Sequence, residues 1–341
     1  MASSMKLIAK PLHNLRTEGK QLLAFAATHQ IELPLIILTG IILGDLFQIP
    51  AAEKFLRLQY RLPGENSYGK GWDDLYIITF WVVLFTFLRA AVMKYVFLPL
   101  SEILNITCAS KRTRFLEQAW QFVYFSFSWT LGMYIMYNSP YWFDASHFWI
   151  DYPHVNIPYL TKWYYLATTG YWLQQFFVLT VEKPRKDVAV LVIHHLITCS
   201  LLLSSYFTNF TRIGNAVLCM MDFSDIWLSF AKVLRYVGFE TVCNIVFGFF
   251  VVGWVYSRHF IYAQIVYSIW SDPDVYHVID WNPEKGHYFN RTAQTFFLSL
   301  FALLQVLALF WLRSIIGIVI KVLSGSNADD VRSDSEDEKE E

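Results

Sequence analysis

The sequence predicts an all-α protein that crosses a membrane several times, on three observations. Of its 341 residues, 55% are hydrophobic and 16% are charged, whereas a soluble domain carries about 25% charged residues. The apolar residues are gathered into runs of about 20, the length that a helix needs to cross ~30 Å of hydrocarbon. Basic residues are concentrated in alternate loops between these runs. The net charge of -1 provides no basic field for nucleic acid, so no nucleic-acid partner is expected.

Eight runs are candidate spans, or seven if the first does not cross the membrane. The first run is short and contains Asp45, and the fourth is rich in Tyr and Trp, which favour the interface or a packed bundle. Apart from the mixed first loop, the loop charges place both termini in the cytosol; if the first run does not cross, the N-terminus moves to the lumen. The approximate limits of the runs are 33–49, 75–98, 118–137, 160–181, 188–206, 212–231, 241–266 and 294–320.

These spans divide the chain into four parts. Residues 1–32 are expected to form a cytosolic tail, 33–74 a first span with its loop, and 75–320 the main membrane domain. The last part, 321–341, ends in SDSEDEKEE, cannot bury a core and is expected to be disordered in the cytosol. Three serines there stand three positions before an acidic residue, which suits an acid-directed kinase and equally an unmodified solvated tail: Ser326, Ser333 and Ser335.

The segment 194–232 places ionisable residues inside two neighbouring spans. His194 and His195 lie in one span, and Asp222 and Asp225 lie in the next. Ionisable side chains in a membrane are costly and are functional-site candidates by default. The turn between the spans is short, so the two helices are expected to be antiparallel neighbours. His194 and Asp225 each lie six residues from the same predicted membrane boundary, roughly 9 Å deep, and can therefore meet.

The spacing within each pair predicts whether its two side chains point in the same direction from the helix. Asp222 and Asp225 are three residues apart and share one helix face. His194 and His195 are adjacent and point about 100° apart, so they cannot perform the same task. Hydroxyl residues on the same two spans extend this polar seam: Thr198, Ser205, Ser224 and Ser229.

Three interpretations of the seam are open. Interhelical hydrogen bonds could simply hold the bundle together. A metal site is disfavoured because HxxHH and HxxxH boxes are absent and the remaining histidines are dispersed, so no metal ligand is assigned. The third interpretation is acid–base or nucleophilic catalysis by a histidine that an aspartate supports, acting on a membrane-soluble substrate.

The same segment resembles the signature motif of the ceramide synthases, the Lag/Lac branch of the TRAM–Lag–CLN (TLC) family. The matching elements are HHLIT, SSYFTNFTRIGNAVLCMMD, DFSDIWL and AK, and Trp254 and Arg258 downstream are similar to the extended motif of fungal members. The resemblance extends with less precision over residues 75–320. It implies a six-helix TLC bundle that encloses a substrate chamber open to the cytosol.

The resemblance also implies an activity. A multi-pass N-acyltransferase of the endoplasmic reticulum would join a fatty acyl-CoA to a sphingoid base, giving dihydroceramide or phytoceramide without a cofactor. His194 would form an acyl-imidazole, His195 would support it, Asp225 would orient or deprotonate, and Asp222 would assist. Direct transfer, with a histidine as general base, is the alternative mechanism. Implied partners are a small single-span accessory subunit and a second copy or paralogue in a dimer.

Other residues are weaker substrate-binding candidates. Lys183, Arg185 and Lys186 lie at the cytosolic mouth and could attract the phosphates of CoA, although a positive-inside loop looks the same. Arg258 is expected in the lumenal half of the seventh span, where it pairs with a carboxylate or snorkels. The remaining weak candidates are Thr198, Ser224 and Trp254. The acidic loop 267–293 is expected at the far end of the chamber, and the resemblance connects this region with the choice of acyl length.

The alternative from a different class is a non-enzymatic TLC protein, either translocon-associated or lipid-sensing. Such a protein shares the bundle but does not need the paired histidines and the Asp-x-x-Asp sequence. This chain keeps all four residues. The enzyme is therefore the favoured interpretation.

Overall fold

A computed structural model of the protein describes residues 21–182 and 186–324. Within these ranges the chain forms a bundle of long helices, with two short antiparallel strand pairs at one end of the bundle. Five sequence-predicted site residues lie outside the described ranges: Lys183, Arg185, Ser326, Ser333 and Ser335.

The helices and strands follow one another in a simple order. The helices are α1 (Gln21–Thr28), α2 (Glu32–Leu46), α3 (Pro50–Leu56), α4 (Asp74–Val92), α5 (Leu98–Ile103), α6 (Ala109–Tyr137), α7 (Tyr159–Val181), α8 (Val188–Phe207), α9 (Thr211–Val237), α10 (Glu240–Val255), α11 (Tyr262–Val275) and α12 (Arg291–Leu323). Two π-helical turns, Met93–Phe97 and Tyr256–Ile261, join α4 to α5 and α10 to α11. Strand β1 (Ser67–Tyr68) pairs with β2 (Ile157–Pro158), and β3 (Asp280–Asn282) pairs with β4 (His287–Phe289).

Each of the eight predicted runs lies largely within helix in the structure. Not all of these helices have the apolar composition of a membrane span. Four helical stretches in the described part of the chain are long and apolar enough: 74–103, 188–207, 240–275 and 291–323. The first run forms α2, whose 15 residues extend about 22 Å. It reaches span length only together with α1, from which it is bent by 81°. The protein is thus a multi-pass membrane protein with four or five candidate spans in the described part of the chain, and eight spans remain a prediction.

Helices α6, α7 and α9 are long enough to cross a membrane but are too polar to resemble lipid-facing spans. Their polar side chains are turned towards other helices: on α7, Lys162, Thr168, Thr169 and Gln174 are all buried. In the assembled bundle, α9 packs against α6 and α10, and α7 packs against α4 and α8. A helix covered by protein on several sides does not need the continuous apolar surface that lipid contact requires.

A buried ion pair anchors the segment before α4 to the bundle. Lys162 Nζ lies 2.7 Å from Asp74 Oδ1, and both side chains are almost fully buried. Lys162 also donates to the carbonyl oxygens of Gln59 and Gly69, at 2.9 Å and 2.7 Å. Asp74 Oδ2 accepts a 2.7 Å hydrogen bond from the Tyr206 hydroxyl. The pair therefore links the β1 segment, α4, α7 and the end of α8.

We expect Lys162→Met to destabilise the fold by about 3–5 kcal/mol, because it leaves the Asp74 carboxylate buried without its cation. The free energy of unfolding in a fixed detergent measures this loss. The matched control is Lys54→Met, since Lys54–Asp73 is also a lysine–aspartate pair, at 2.9 Å, but more than a third of the Lys54 side chain is exposed. The control should change little, and an equal loss in both variants would contradict the assigned role of Lys162.

Candidate active site

A cavity with about 750 Å³ of empty space, including the part that is open to solvent, lies between α7, α8, α9, α11 and α12. Its walls are helix faces, because the lining residues of α8 and α9 recur every three or four positions. On α8 they are His194, Thr198, Leu201, Leu202 and Ser205; on α9 they are Ile213, Gly214, Val217, Leu218, Met221 and Asp225. From His194 to Ser205 the cavity follows α8 for about 16 Å.

The two ends of the cavity differ in chemistry. One end, called here the polar end, is lined by His194, Asp225 and Arg258. The middle is mostly aliphatic. The opposite end is closed by contacting aromatic rings: Trp149, Phe210, Phe289 and Phe297. A pocket with an apolar body and a few convergent polar groups suits a long apolar chain that carries one reactive group.

The imidazole of His194 is surrounded by three rings that stand nearly perpendicular to it. The ring centroids lie 5.4 Å away for Trp311, 5.6 Å for Trp172 and 5.7 Å for His195, at interplanar angles of 83°, 78° and 85°. Its Nδ1 atom is buried and has no hydrogen-bond partner among residues 21–182 and 186–324. No described carboxylate is bonded to this nitrogen, and the imidazole is flanked by the three rings.

His195 has different surroundings from its neighbour, as their angular separation predicts. Its side chain is buried, and Nδ1 donates a 2.6 Å hydrogen bond to the carbonyl oxygen of Leu191. Its ring contacts Trp172 and Phe176. Because this bond fixes the tautomer and the ring is packed against α7, His195 is placed to support the helix next to His194.

Asp225 is held at the polar end by Arg258. Arg258 Nη2 donates to Asp225 Oδ1 at 2.6 Å and to the carbonyl oxygen of Met221 at 2.9 Å. Its Nε donates to the Ser224 hydroxyl at 2.7 Å. The guanidinium lies over the Trp254 ring, 4.1 Å from the centroid. The geometry thus unites the sequence-predicted Asp225, Ser224, Trp254 and Arg258 in one fixed cluster.

The position of Arg258 differs from the sequence expectation, which put it in the opposite half of the membrane from Asp225. Two features account for the difference. Helix α9 continues to Val237, six residues beyond its predicted end, so Asp225 lies 12 residues from the end of its helix and not six. Arg258 also lies in the π turn Tyr256–Ile261, and such turns occur frequently at functional sites. Of the two alternatives for Arg258, the structure shows pairing with a carboxylate.

Asp222 and Asp225 have different hydrogen-bond partners, although the two were expected to share one helix face. Asp222 is buried against α6, where its Oδ2 accepts a 2.8 Å hydrogen bond from Ser128. It is not among the residues that line the cavity. Residues three apart on a helix differ by about 60° in direction, and α9 lies between α6 and α10. That angle is enough to direct the two carboxylates to different neighbours.

Two weaker candidates occupy distinct positions. Thr198 lines the cavity one turn from His194, as expected. Lys186 is exposed beside the start of α8. The position of Lys186 is compatible with attraction of an anionic group at the polar end, and its role stays a prediction.

Comparison with known proteins identifies the bundle. The family model of the TLC domain matches residues 114–317. Sphingosine N-acyltransferase lag1 of Schizosaccharomyces pombe is 40% identical over 295 residues, which are 86% of this chain and 75% of that protein. This chain belongs to the TLC-domain family.

Two further relatives align with most of the chain. Ceramide Synthase FUM18 of Gibberella moniliformis is 35% identical over 368 residues, covering 98% of this chain and 82% of that protein. Ceramide synthase LAG1 of Saccharomyces cerevisiae is 35% identical over 296 residues, covering 84% of this chain and 70% of that protein. The resemblance inferred from the segment 194–232 is therefore confirmed at the level of the family.

The TLC bundle contains site residues that the sequence analysis missed, chiefly Trp172 and Trp311 beside His194. A signal for Trp311 was present, because the buried residues of α12 recur every three or four positions from Phe297 to Ile315 and Trp311 is one of them. The contact with His194 had no such signal, since it joins α12 to α8.

The described residues of this TLC bundle contain no group of three or more His, Cys, Asp or Glu side chains that could hold a metal ion. His194 and Asp225 are the cavity-lining members of the four predicted catalytic residues. The arrangement offers one imidazole, one carboxylate and one guanidinium at the polar end of an apolar cavity.

Proposed function

We propose that this protein is a ceramide synthase, which transfers the acyl group of a fatty acyl-CoA to the amine of a sphingoid base. The observation that carries the proposal is the cavity itself. An imidazole and an Asp–Arg pair lie at one end of a long apolar space, in a chain whose relatives are named ceramide synthase and sphingosine N-acyltransferase. Such a space fits a fatty acyl chain whose thioester carbonyl lies beside His194.

In the proposed mechanism, an imidazole nitrogen of His194 attacks the thioester carbonyl carbon. The carbon–sulfur bond breaks, the CoA thiolate leaves, and the acyl group is carried as an acyl-imidazole. The sphingoid amine then attacks the same carbon, and the bond to the imidazole breaks. In this proposal Asp225, held by Arg258, accepts the amine proton and passes it on to the thiolate, so that CoA is released as the thiol. Direct transfer, with His194 as general base, remains the alternative.

The buried setting supports a covalent intermediate. Trp172, Trp311 and His195 cover three sides of His194, and the cavity below it is apolar. Exclusion of water protects an acyl-imidazole from hydrolysis until the amine arrives. In this proposal the aromatic floor at Phe210 and Phe289 receives the end of the acyl chain, and Phe289 belongs to the segment that the resemblance connects with acyl length.

The orientation of the protein in the membrane is proposed from the charge of its loops, and its location and partners are proposed from the resemblance to ceramide synthases. The polar end faces the cytosol, where acyl-CoA is found, because the adjoining loops are basic and the tail from residue 325 is expected on that side. The membrane is that of the endoplasmic reticulum. A small single-span accessory subunit and a dimer with a second copy or a paralogue are further proposed partners.

The proposal is tested with purified protein in lipid nanodiscs, supplied with a fatty acyl-CoA and a sphingoid base. The expected result is ceramide and free CoA in equal amounts, with neither formed when free fatty acid replaces the acyl-CoA. Formation of neither product, in preparations with and without a co-purified accessory subunit, would instead favour the non-enzymatic TLC protein.

A further inference from the structure

The indole of Trp311 is held in place by a carboxylate at the start of α8. Trp311 Nε1 donates a 3.1 Å hydrogen bond to Asp187 Oδ2, and both side chains are buried. Asp187 is the residue before α8, two helical turns from His194. The bond therefore joins α12 to the start of the helix that carries His194.

The same indole forms one side of the His194 surroundings. Its centroid lies 5.4 Å from that of His194 at 83°, the edge-to-face arrangement that aromatic rings prefer. A ring fixed by a hydrogen bond at one edge cannot rotate away from a neighbour as freely as a ring held by packing alone. The orientation of Trp311 thus depends on Asp187, and the space open to His194 depends on Trp311.

The orientation of the His194 imidazole depends on ring contacts more than it would if an acceptor were bonded to Nδ1. In hydrolases of the Ser-His-Asp type, a carboxylate bonded to Nδ1 fixes the ring. Here Nδ1 of His194 has no hydrogen-bond partner among residues 21–182 and 186–324. The carboxylate of Asp225 is turned to Arg258, and that of Asp222 is turned to Ser128.

We propose that Trp311, held by Asp187, is a positioning residue that keeps the His194 imidazole aimed into the cavity. In this arrangement the carboxylate acts on the imidazole through an indole ring instead of through a direct hydrogen bond. The inference rests on the proposed function for its kinetic consequence, but not for the geometry, which is present without substrate.

The first test compares kinetics in five variants. Trp311→Leu and Asp187→Leu should lower kcat by about 10²-fold, the loss expected for a misplaced reactive group, while KM for acyl-CoA changes little. Trp311→Phe, which keeps a ring but loses the Nε1 donor, should give a smaller loss. Asp187→Asn should retain most activity, because its amide oxygen still accepts from Nε1. Trp120→Phe is the matched control, since Trp120 is a similarly buried tryptophan outside the cavity wall and should behave as wild type.

The second test needs no substrate. The rate at which diethyl pyrocarbonate modifies His194, followed by peptide mass spectrometry, reports the reactivity of the imidazole. Asp187→Leu should change that rate by about threefold or more, and the same substitution should add nothing in a Trp311→Phe background, because coupled residues are not additive. Both tests include the thermal unfolding midpoint in detergent, so that a folding defect is recognised.

Wild-type modification rates in Asp187→Leu and Trp311→Leu would overturn the inference. So would an Asp187→Leu effect of equal size in the Trp311→Phe background, because the carboxylate would then act without the indole. If the wild-type protein makes no ceramide, the proposed function fails, whereas the modification rates still decide whether Asp187 and Trp311 position His194.

Discussion

Replacement of His194 by alanine is expected to abolish both the acyl adduct and ceramide formation. With acyl-CoA and no sphingoid base, wild-type protein should gain the mass of one acyl group, which intact-protein mass spectrometry detects directly. His194→Ala should show no adduct and lose at least about 10³-fold in kcat/KM, because loss of a nucleophile removes the covalent route altogether. Addition of sphingoid base should discharge the wild-type adduct as ceramide.

His195→Ala is the matched control, since the two residues are chemically identical and adjacent. Its Nδ1 is bonded to the Leu191 carbonyl and it does not line the cavity, so the adduct should form in this variant, although more slowly. An adduct that still forms in His194→Ala would show that another residue is the nucleophile. A preparation that makes ceramide but never accumulates an adduct, even in rapid-quench samples, would favour direct transfer with a histidine as general base.

Loss of Arg258 is expected to cost both stability and activity. Arg258→Leu removes a donor from the partly buried Asp225 carboxylate and from the buried Ser224 hydroxyl. The loss should be smaller than the about 3–5 kcal/mol of a fully buried pair, because the Asp225 side chain is 22% exposed. Arg258→Lys should recover only part of this loss, because one ammonium group cannot reproduce the forked bonds to Ser224, Met221 and Asp225. Unfolding in detergent and ceramide synthesis measure the two effects separately.

The double variant Arg258→Leu, Asp225→Leu separates the ion pair from the chemistry. It should regain much of the stability that Arg258→Leu loses, because the Asp225 charge is removed together with the Arg258 charge that it pairs with. It should remain inactive if Asp225 takes part in proton transfer. A double variant no more stable than Arg258→Leu would show that the 2.6 Å contact is not the main contribution of Arg258.

Much of the site could be predicted from the sequence because it lies on two adjacent helices. The short turn between α8 and α9 makes them antiparallel, and a repeat of three to four residues puts the cavity-lining positions on one face of each. These local rules placed His194, Thr198 and Asp225 on one wall, as the structure shows. The crossing of the membrane by α6, α7 and α9 stays a prediction, because hydropathy reports contact with lipid and these helices are largely covered by other helices.

The sequence by itself determined the helical order, the membrane character and the family, since composition, periodicity and a continuous motif are local properties of the chain. Tertiary structure decided the partner of each ionisable group. Asp225 meets Arg258, 33 residues away, while Asp222 meets Ser128, 94 residues away. It also decided that Trp311 on α12 lies against His194. The helical repeat fixes the direction of a side chain around its own axis, but only the packing of the bundle fixes which helix lies in that direction.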